Sequence, residues 1–334
     1  MGGCPSPLAA LVKQHPRLVF GIGLKVASTL VFTLMAALVK VASADFPVAE
    51  IVFFRSVLAL VVLAAWLWWR GDFPRALHTD RIGGHVLRGT VGAASMYMGF
   101  STYGLLPLPD ATAIGYATSL IIVLFAALVL REPVGLSRWF AVAIGFGGVI
   151  VTLWDNLGGE PTLAAAELGL SPALLVSLIC VFWCCFTAAA MLQTRRLAQT
   201  EETAAIVFWF QTTTTCTGLV FMGLSRLWPD GAPLAAVVHA QGWVTPGWQG
   251  LFVLCALGIL GGLGQIWMTA AYRYCDASVA ACFDYLSLVW ALALGLLLFG
   301  EIPTLLGFSG VAIIAAAGLF LIWRERRALR GQMI

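Results

Sequence analysis

The chain has 334 residues, of which 60% are apolar and only 10% charged, with a formal net charge of +3. A soluble protein of this length would have far too little polar surface on such a composition, so the sequence describes an integral membrane protein. The small net charge offers no basic field for nucleic acid, and the partners expected are the lipid bilayer and a small-molecule substrate, with no obligatory protein partner evident.

A bilayer core about 30 Å thick takes roughly 20 helical residues to cross. On that measure, spans are predicted over residues 18–43, 46–69, 84–106, 111–130 and 138–154, then over 171–193, 204–225, 247–272, 277–299 and 304–323. The first of these follows Lys13 and Arg17 and ends in Ala42-Ser43-Ala44, which imitates a secretory signal and its cleavage site. Its apolar run is longer than a signal core and contains Lys25, so it is expected to remain as a transmembrane helix.

The second half repeats the plan of the first. Residues 97–133, with the run LPLPDATAIGYATSLIIVLFAALVLREP, return over residues 271–303 as AYRYCDASVAACFDYLSLVWALALGLLLFGEIP. Each copy holds a helix end, an Asp, a long apolar helix and a Glu close to a Pro. The predicted organisation is a cytoplasmic segment 1–17, a first five-span repeat 18–155, a periplasmic linker 156–170, a second repeat 171–323 and a basic cytoplasmic tail 324–334. Two similar halves enclosing a site between them is the architecture of a secondary transporter.

Lys and Arg near span ends are retained on the cytoplasmic side. With the N-terminus inside, Lys13, Arg17, Arg70, Arg75, Arg81, Arg88, Arg131, Arg138, Arg195, Arg196, Arg273, Arg324, Arg326, Arg327 and Arg330 all fall inside, and Arg226 falls outside. Lys25, Lys40 and Arg55 lie within spans. Both termini are therefore expected in the cytoplasm of a cell with an inner membrane. Five is an odd number, so the second half enters from the opposite face and the repeat is inverted. Arg131-Glu132-Pro133 then lies inside, and Gly300-Glu301-Ile302-Pro303 lies outside without its Arg. The fold class expected is an all-α integral membrane protein with ten transmembrane helices as two inverted five-helix repeats.

Residues three or four apart share a helix face. The first span carries one stripe of Lys25, Thr29, Thr33, Ala36 and Lys40. The third carries Arg88, Gly92, Ser95, Gly99 and Thr102; the fourth Thr112, Tyr116 and Ser119; the eighth Gly258, Gly262, Gln265 and Thr269; the ninth Ala277, Ala281, Asp284, Ala291 and Gly295. Small residues alone are expected to serve close helix contact. The sixth span adds Ser177 and Thr187, and the seventh adds Gln211, Thr214 and Thr215.

Asp284 stands out as a carboxylate expected about 10 Å deep in the ninth span, at 1.5 Å per residue. Such a group faces a cavity or a partner. Two readings stay open: a site for a cationic substrate or a proton, and an ion pair with Lys25 or Arg88. Arg55 is expected to snorkel or to pair with Glu50, the alternative being attraction of a carboxylate. Trp66, Trp68, Trp69, Trp154, Trp228, Trp243, Trp248 and Trp323 read as interface anchors. Tyr97, Tyr116, Trp183, Trp267 and Tyr285 lie deeper, where a ring face suits a cationic or flat substrate.

The eight cysteines lie mostly inside spans and are expected to pack as small apolar groups. His78 and His85 flank a loop with Arg75, Arg81 and Arg88 that is expected to be solvated, with too few ligands for a metal. No cofactor is expected, and Gly21-x-Gly23 and Gly262-x-Gly264 are not phosphate loops because no strand precedes them.

Several motifs in this order carry a family resemblance: Glu50-Ile51-Val52-Phe53-Phe54-Arg55-Ser56, Leu87-Arg88-Gly89, Leu108-Pro109-Asp110-Ala111-Thr112-Ala113, Ala271-Tyr272-Arg273-Tyr274, Phe283-Asp284-Tyr285 and Gly300-Glu301. The chain resembles the drug/metabolite transporter superfamily of the EamA type over nearly its whole length. That resemblance implies a ten-helix carrier for small organic solutes that works by alternating access. The pattern around Phe283 is most similar to S-adenosylmethionine uptake-like members. The chain departs from the family in having Ser119 and Cys282 where Pro is frequent, and Asp284 where Glu is frequent.

The expected function is secondary-active or facilitative transport of a zwitterionic or cationic metabolite. A lipid or drug-cation exporter of the same superfamily is the alternative. A membrane-embedded lipid enzyme would show clustered His, Asp or Asn at one interface, and no such cluster is present. The substrate cavity is expected between the first, third, fourth, sixth, eighth and ninth spans. Asp284, Tyr97, Tyr116, Trp183 and Gln265 should face it, with Tyr285, Ser95, Thr29, Thr33 and Gln211 completing the substrate-binding set and Asp284 as the coupling residue.

Overall fold

Apolar runs in lipid fold as helices because hydrocarbon offers no partner for backbone N–H and C=O groups, which a helix satisfies internally. A computed structural model of the protein describes residues 16–74, 77–79, 81–128, 136–155, 172–197, 200–225, 243–271, 274 and 283–331. In chain order the helices are α1 Pro16–Ala42, α2 Val48–Arg70, α3 Ile82–Leu105, α4 Leu108–Leu128, α5 Leu136–Asp155, α6 Pro172–Leu197, α7 Thr203–Ser225, α8 Trp248–Ala271, α9 Leu286–Phe299 and α10 Leu305–Gly331. Each falls on a predicted span. The predicted linker 156–170 and the motif Arg131-Glu132-Pro133 lie outside the described residues.

Two helices differ from expectation by more than their fraying ends. α9 begins at Leu286, and Asp284 precedes it with Tyr285 in a turn. Phe283 and Asp284 are helical ahead of that turn, so the span is broken at Tyr285, and the first part of the predicted span, residues 277–282, lies outside the described residues. α10 runs on to Gly331, so the basic segment from residue 324 is helical to that point, as Arg, Leu and Ala are good helix formers once in water.

Six helices, namely α1, α2, α4, α6, α7 and α8, are long and apolar enough to cross a bilayer on their own. α5, α9 and α10 hold shorter apolar stretches, Trp139–Trp154, Leu286–Phe299 and Leu305–Phe320. α3 is the polar one, with His85, Arg88, Ser95, Ser101 and Thr102 along it. A helix of that character is stable in lipid only when surrounded by others, and α3 packs on α6, α7 and α1. Among the expected interface anchors, Trp68, Trp69, Trp154, Trp248 and Trp323 are exposed near helix ends. Trp228 lies outside the described residues.

Helix pairing is close to unchanged when five is added to each number. α1 lies on α8 as α6 lies on α3; α2 lies on α8 as α7 lies on α3; α4 lies on α6 as α9 lies on α1. The pairs α2 with α7, α4 with α9 and α5 with α10 map onto themselves. The exchange fails in several respects. Among the described residues, α1 packs on α3 and α4, α4 packs on α5 and α10, and α2 packs on α3, whereas the counterpart pairs do not pack to a similar extent.

Small residues make the tightest of these contacts, as predicted for Gly258 and Gly262, which seat Leu58 and Val62 of α2. Between α5 and α10 the approach is backbone to backbone. A Cβ on Gly310 would lie 2.8 Å from the Thr152 nitrogen and 3.0 Å from the Gly148 oxygen, while one on Gly147 would meet nothing within 4 Å. Gly310→Ala should therefore destabilise the protein by about 1–3 kcal/mol, seen as a lower thermal midpoint in detergent. Gly147→Ala should leave it unchanged or slightly higher. Equal midpoints for the two variants would contradict this account of the α5–α10 contact.

Candidate functional site

A charged side chain within a helix bundle in lipid needs a partner on another helix, and four of them can be followed from α1, α2 and α3. Lys25, on α1, is almost fully buried and its Nζ lies 2.7 Å from Asp284 Oδ1; their side chains are 2% and 36% exposed. The structure thus contains the ion pair that the sequence left as one of two readings for Asp284. The Asp284 side chain is also partly exposed, whereas that of Lys25 is not.

Around Asp284 the turn at Tyr285 brings aromatic groups together. Tyr116 of α4 and Tyr285 stack with ring centroids 4.8 Å apart and planes at 22°. The Tyr116 hydroxyl donates to the main-chain oxygen of Asp284 and lies within hydrogen-bond reach of Ser287 Oγ. Gly318 of α10 is where Tyr285 Oη rests, since any Cβ there would collide with it. Trp183 of α6 is seated on two glycines: a Cβ on Gly99 would lie 2.6 Å from its Nε1, and one on Gly115 would lie 2.9 Å from its Cη2. Its ring meets Tyr103 edge-on at 5.6 Å. Ser95 of α3 and Thr187 of α6 share a hydrogen bond of 2.6 Å.

Asp284, Tyr116 and Tyr285 are therefore brought together with Lys25, and Trp183 shares with Tyr116 and Tyr285 the apolar cluster of α4, α6 and α10. Ser95 lies on the α3–α6 side. Thr29 and Thr33 are buried on α1, but both hydroxyls return to their own helix, to the Val26 and Thr29 oxygens at 2.8 Å. Gln265 is on α8 and partly buried. Tyr97 and Gln211 belong elsewhere. Tyr97 packs at 5.1 Å on Phe221 of α7, and Gln211 is buried between α2 and α7. The ten candidates do not form one cluster, because helical spacing on single spans carries no information on how the spans are turned toward each other. The side chains of Ser119 and Thr269 and residues 277 and 281 lie outside what is described.

Two expectations are overturned. Arg55 neither snorkels nor pairs with Glu50: it is 4% exposed and its Nη1 donates to Gln211 Oε1 at 2.7 Å. Glu50 instead accepts from the Val244 nitrogen at 3.1 Å, closing the start of α2 onto the α7–α8 connection. His85 is not in a solvated loop but buried in the first turn of α3, 3.4 Å from Glu201. Burial works against the Glu201 charge, but Thr79, His85 and Arg81 beside it hold its carboxyl below the usual carboxylate range. His85 on Glu201 and Val244 on Glu50 are counterparts, joining the first turn of α3 to the chain at the start of α7 and the chain ahead of α8 to the start of α2.

One cluster went unrecognised in the sequence. At the end of α1, Lys40 forms an ion pair with Glu301. Its Nζ also donates to the Leu106 oxygen at 2.8 Å, and Glu301 Oε2 accepts from the Leu108 nitrogen at 2.8 Å. Gly300, at φ 65°, ends α9 with a left-handed turn that sets Glu301 in place, as the Glu301 nitrogen bonds back to the Gly295 oxygen. This clasp ties α1, the α3–α4 connection and the α9–α10 connection. Lys40 and Glu301 were each visible in the sequence, yet nothing there connected them.

Residues 19–154 match the EamA-like transporter family. Over 302 residues, covering 90% of this chain and 95% of the relative, the protein is 27% identical to the pseudopaline exporter CntI of Pseudomonas aeruginosa. It is 26% identical over 286 residues, 84% of each chain, to an S-adenosylmethionine uptake transporter of Rickettsia felis. A transporter of Helicobacter pylori is 27% identical over 91% of this chain and 95% of its own. A solved crystal structure shares the fold, with a TM-score of 0.60 at 19% identity over 90% of this chain and 98% of that one. The protein is a multi-pass membrane transporter of small molecules, and its relatives are transporters rather than enzymes.

The Lys25–Asp284 pair offers a test within the bundle. Removing one partner leaves a charge without its counter-ion, while removing both does not. Asp284→Asn should cost about 1–3 kcal/mol of stability, softened by the carboxylate's partial exposure. The double variant Lys25→Gln/Asp284→Asn should recover a large part of that loss. Thermal unfolding of the wild type, Lys25→Gln, Asp284→Asn and the double variant in detergent measures the coupling, and strictly additive effects would dissolve the pair as an energetic unit.

Proposed function

We propose that the protein carries a small zwitterionic or cationic organic metabolite across an inner membrane by alternating access, with both termini cytoplasmic and two inverted five-helix repeats enclosing the substrate. The observation that carries this reading is the Lys25–Asp284 pair beside the stacked Tyr116 and Tyr285, with the Asp284 side chain partly exposed at the turn before α9. Interrupted helices beside a site between two repeats are a recurring device of secondary transporters. The cationic group of such a solute can displace Lys25 and take Asp284 as its partner. The stacked rings supply faces on which a cation or a flat ring system gains roughly 0.5–2 kcal/mol when desolvated.

The relatives favour the same class of solute. One is named for S-adenosylmethionine, whose sulfonium, amine and carboxylate give it both signs of charge. The other is named as an exporter, so direction is not inherited from the family. An uptake panel in proteoliposomes, with S-adenosylmethionine and other amino-acid-like zwitterions, tests the solute class directly. Asp284→Asn should lose most transport, and the folded double variant Lys25→Gln/Asp284→Asn should remain inactive. Wild-type rates for Asp284→Asn across a range of pH would remove the carboxylate from both binding and coupling.

Alternating access requires a closure at each end, and one of them is made by Lys40, Glu301, Leu106 and Leu108, at the end where α1, α3 and α4 pack together. On the proposed topology the shut end is the outer one. A cysteine placed at Ala36, one turn below Lys40, should react slowly with an impermeant maleimide added outside intact cells. Lys40→Gln should raise that rate several-fold, and the exchange Lys40→Glu/Glu301→Lys should bring it back down. Identical labelling in all three backgrounds would mean that the clasp gates nothing.

A further inference from the structure

The second polar cluster, between α2 and α7, has no role in the site just described. Arg55 is the eighth residue of α2 and Gln211 the ninth of α7, and the two helices enter from opposite faces on the proposed topology. At 1.5 Å per residue each Cα lies about 10–12 Å from its own end, so the two side chains meet near the middle of the membrane. Their surroundings are closed: Arg55 is 4% exposed, and Gln211, Ser56 and Thr214 are completely buried.

The hydrogen-bond inventory of this cluster is one-sided. Arg55 Nη1 donates to Gln211 Oε1, which uses the amide's acceptor, and Thr214 Oγ1 donates to Ser56 Oγ at 2.9 Å. Arg55 Nε and the Gln211 Nε2 donor have no partner, and neither has the hydroxyl of Tyr97. Tyr97 belongs to the same packed cluster as Met35, and Met35 and Arg55 Nε both border the space a Cβ on Gly261 would take, at 3.3 and 3.0 Å. Ion pairs among the described residues engage Asp284, Glu301, Asp72 and Glu201, none of them with Arg55. A guanidinium at this depth with a neutral amide as its partner lacks a counter-ion.

From this we infer that Arg55, with the Gln211 amide beside it, is a carboxylate-binding subsite for the transported metabolite. The inference rests on the reading of the protein as a metabolite carrier and adds a second binding point to it. A guanidinium presents its N–H groups as a fork that matches the two oxygens of a carboxylate. Gln211 Nε2 supplies a further N–H from the opposite repeat, so the bound anion would touch α2 and α7, the helix pair that maps onto itself. A substrate held there by its carboxylate and at Asp284 by its cationic group spans both halves. Neither end alone would identify it.

The experiment compares two compounds that differ only in this group: S-adenosylmethionine and its decarboxylated form, in proteoliposomes of the full chain. The wild type should prefer the carboxylate-bearing compound by about tenfold to a hundredfold. Arg55→Gln should bring that ratio close to one, and Arg55→Lys, which keeps charge but not the fork, should leave it intermediate. An unchanged ratio in Arg55→Gln would overturn the inference. Should neither compound be transported, the proposed solute class fails and the subsite is read by a second measurement. Thermal unfolding in detergent at equal ionic strength, in sodium acetate against sodium chloride, should raise the wild-type midpoint. Arg55→Gln should have a higher midpoint than the wild type in chloride, since the unpaired charge is gone, and no response to acetate. The same acetate effect in both proteins, or a lower midpoint for Arg55→Gln in chloride, would leave Arg55 a structural residue.

Discussion

A charge within lipid must find its partner on another helix, and among the described residues several such partners lie in the other half of the chain. Lys25 reaches Asp284, Lys40 reaches Glu301, Arg55 reaches Gln211 and Arg88 reaches Thr194. Glu50 holds Val244, and His85 stands by Glu201. Lipid is as apolar as leucine, so burying apolar surface gives helices little reason to associate; polar contacts and close packing decide which surfaces meet. The relative position of the two halves is therefore written chiefly in these polar crossings. Contacts of that kind are also suited to change. An ion pair or a single hydrogen bond can be exchanged for water or substrate at modest cost, whereas an interlocked apolar face cannot.

Packing within the bundle complements that arrangement. Gly99 and Gly115 receive Trp183, Gly261 receives Arg55 and Gly318 receives Tyr285. In each case a large group with a polar atom is laid against bare backbone, where no side chain of its own competes for the space. The glycines thus act as seats for the residues that line or flank the candidate site. α5 and α10 differ: their glycines meet backbone to backbone, and no charged pair joins them among the described residues. They form a fixed pair at the edge of the bundle, on which α4 rests.

The spans were legible because hydropathy responds to length and composition, and both are set by the thickness of the bilayer. All ten helices fall where the apolar runs fall, α3 included despite His85 and Arg88. The packing role of Gly258 and Gly262 could also be read, from spacing alone. The azimuth of one helix against another could not. That is why Tyr97, assigned to the same wall as Tyr116 by its place on the third span, turns toward Phe221 of α7 instead. It is also why Arg55, whose neighbour in sequence is Glu50 one turn away, is found with Gln211. The Lys40–Glu301 clasp depends on a separation of 261 positions along the chain (301 minus 40), which no local pattern encodes. Asp284 was recognised as the sharpest residue of its span, but its turn was not, since neither Pro nor Gly marks it.

That turn gives the candidate site its particular chemistry. Were the ninth helix continuous through Asp284, its main-chain oxygen would be committed to the helix, and Asp284 would present a carboxylate alone. With Tyr285 in a turn, the oxygen accepts from the Tyr116 hydroxyl, and that hydroxyl also reaches Ser287 in the first turn of α9. Tyr116 therefore braces the break from α4, while Lys25 neutralises the carboxylate from α1. Three helices fix one short segment, two of them in the first half and one in the second. Any motion that parts α1 from α9 must separate Lys25 from Asp284, and with the clasp at Lys40 it must separate Glu301 too. The two ion pairs lie on the same helix, about 15 residues apart and so about 22 Å along its axis. A tilt of α1 against α9 that opens one of them need not open the other, and this is the geometric condition for a site that faces one side of the membrane at a time.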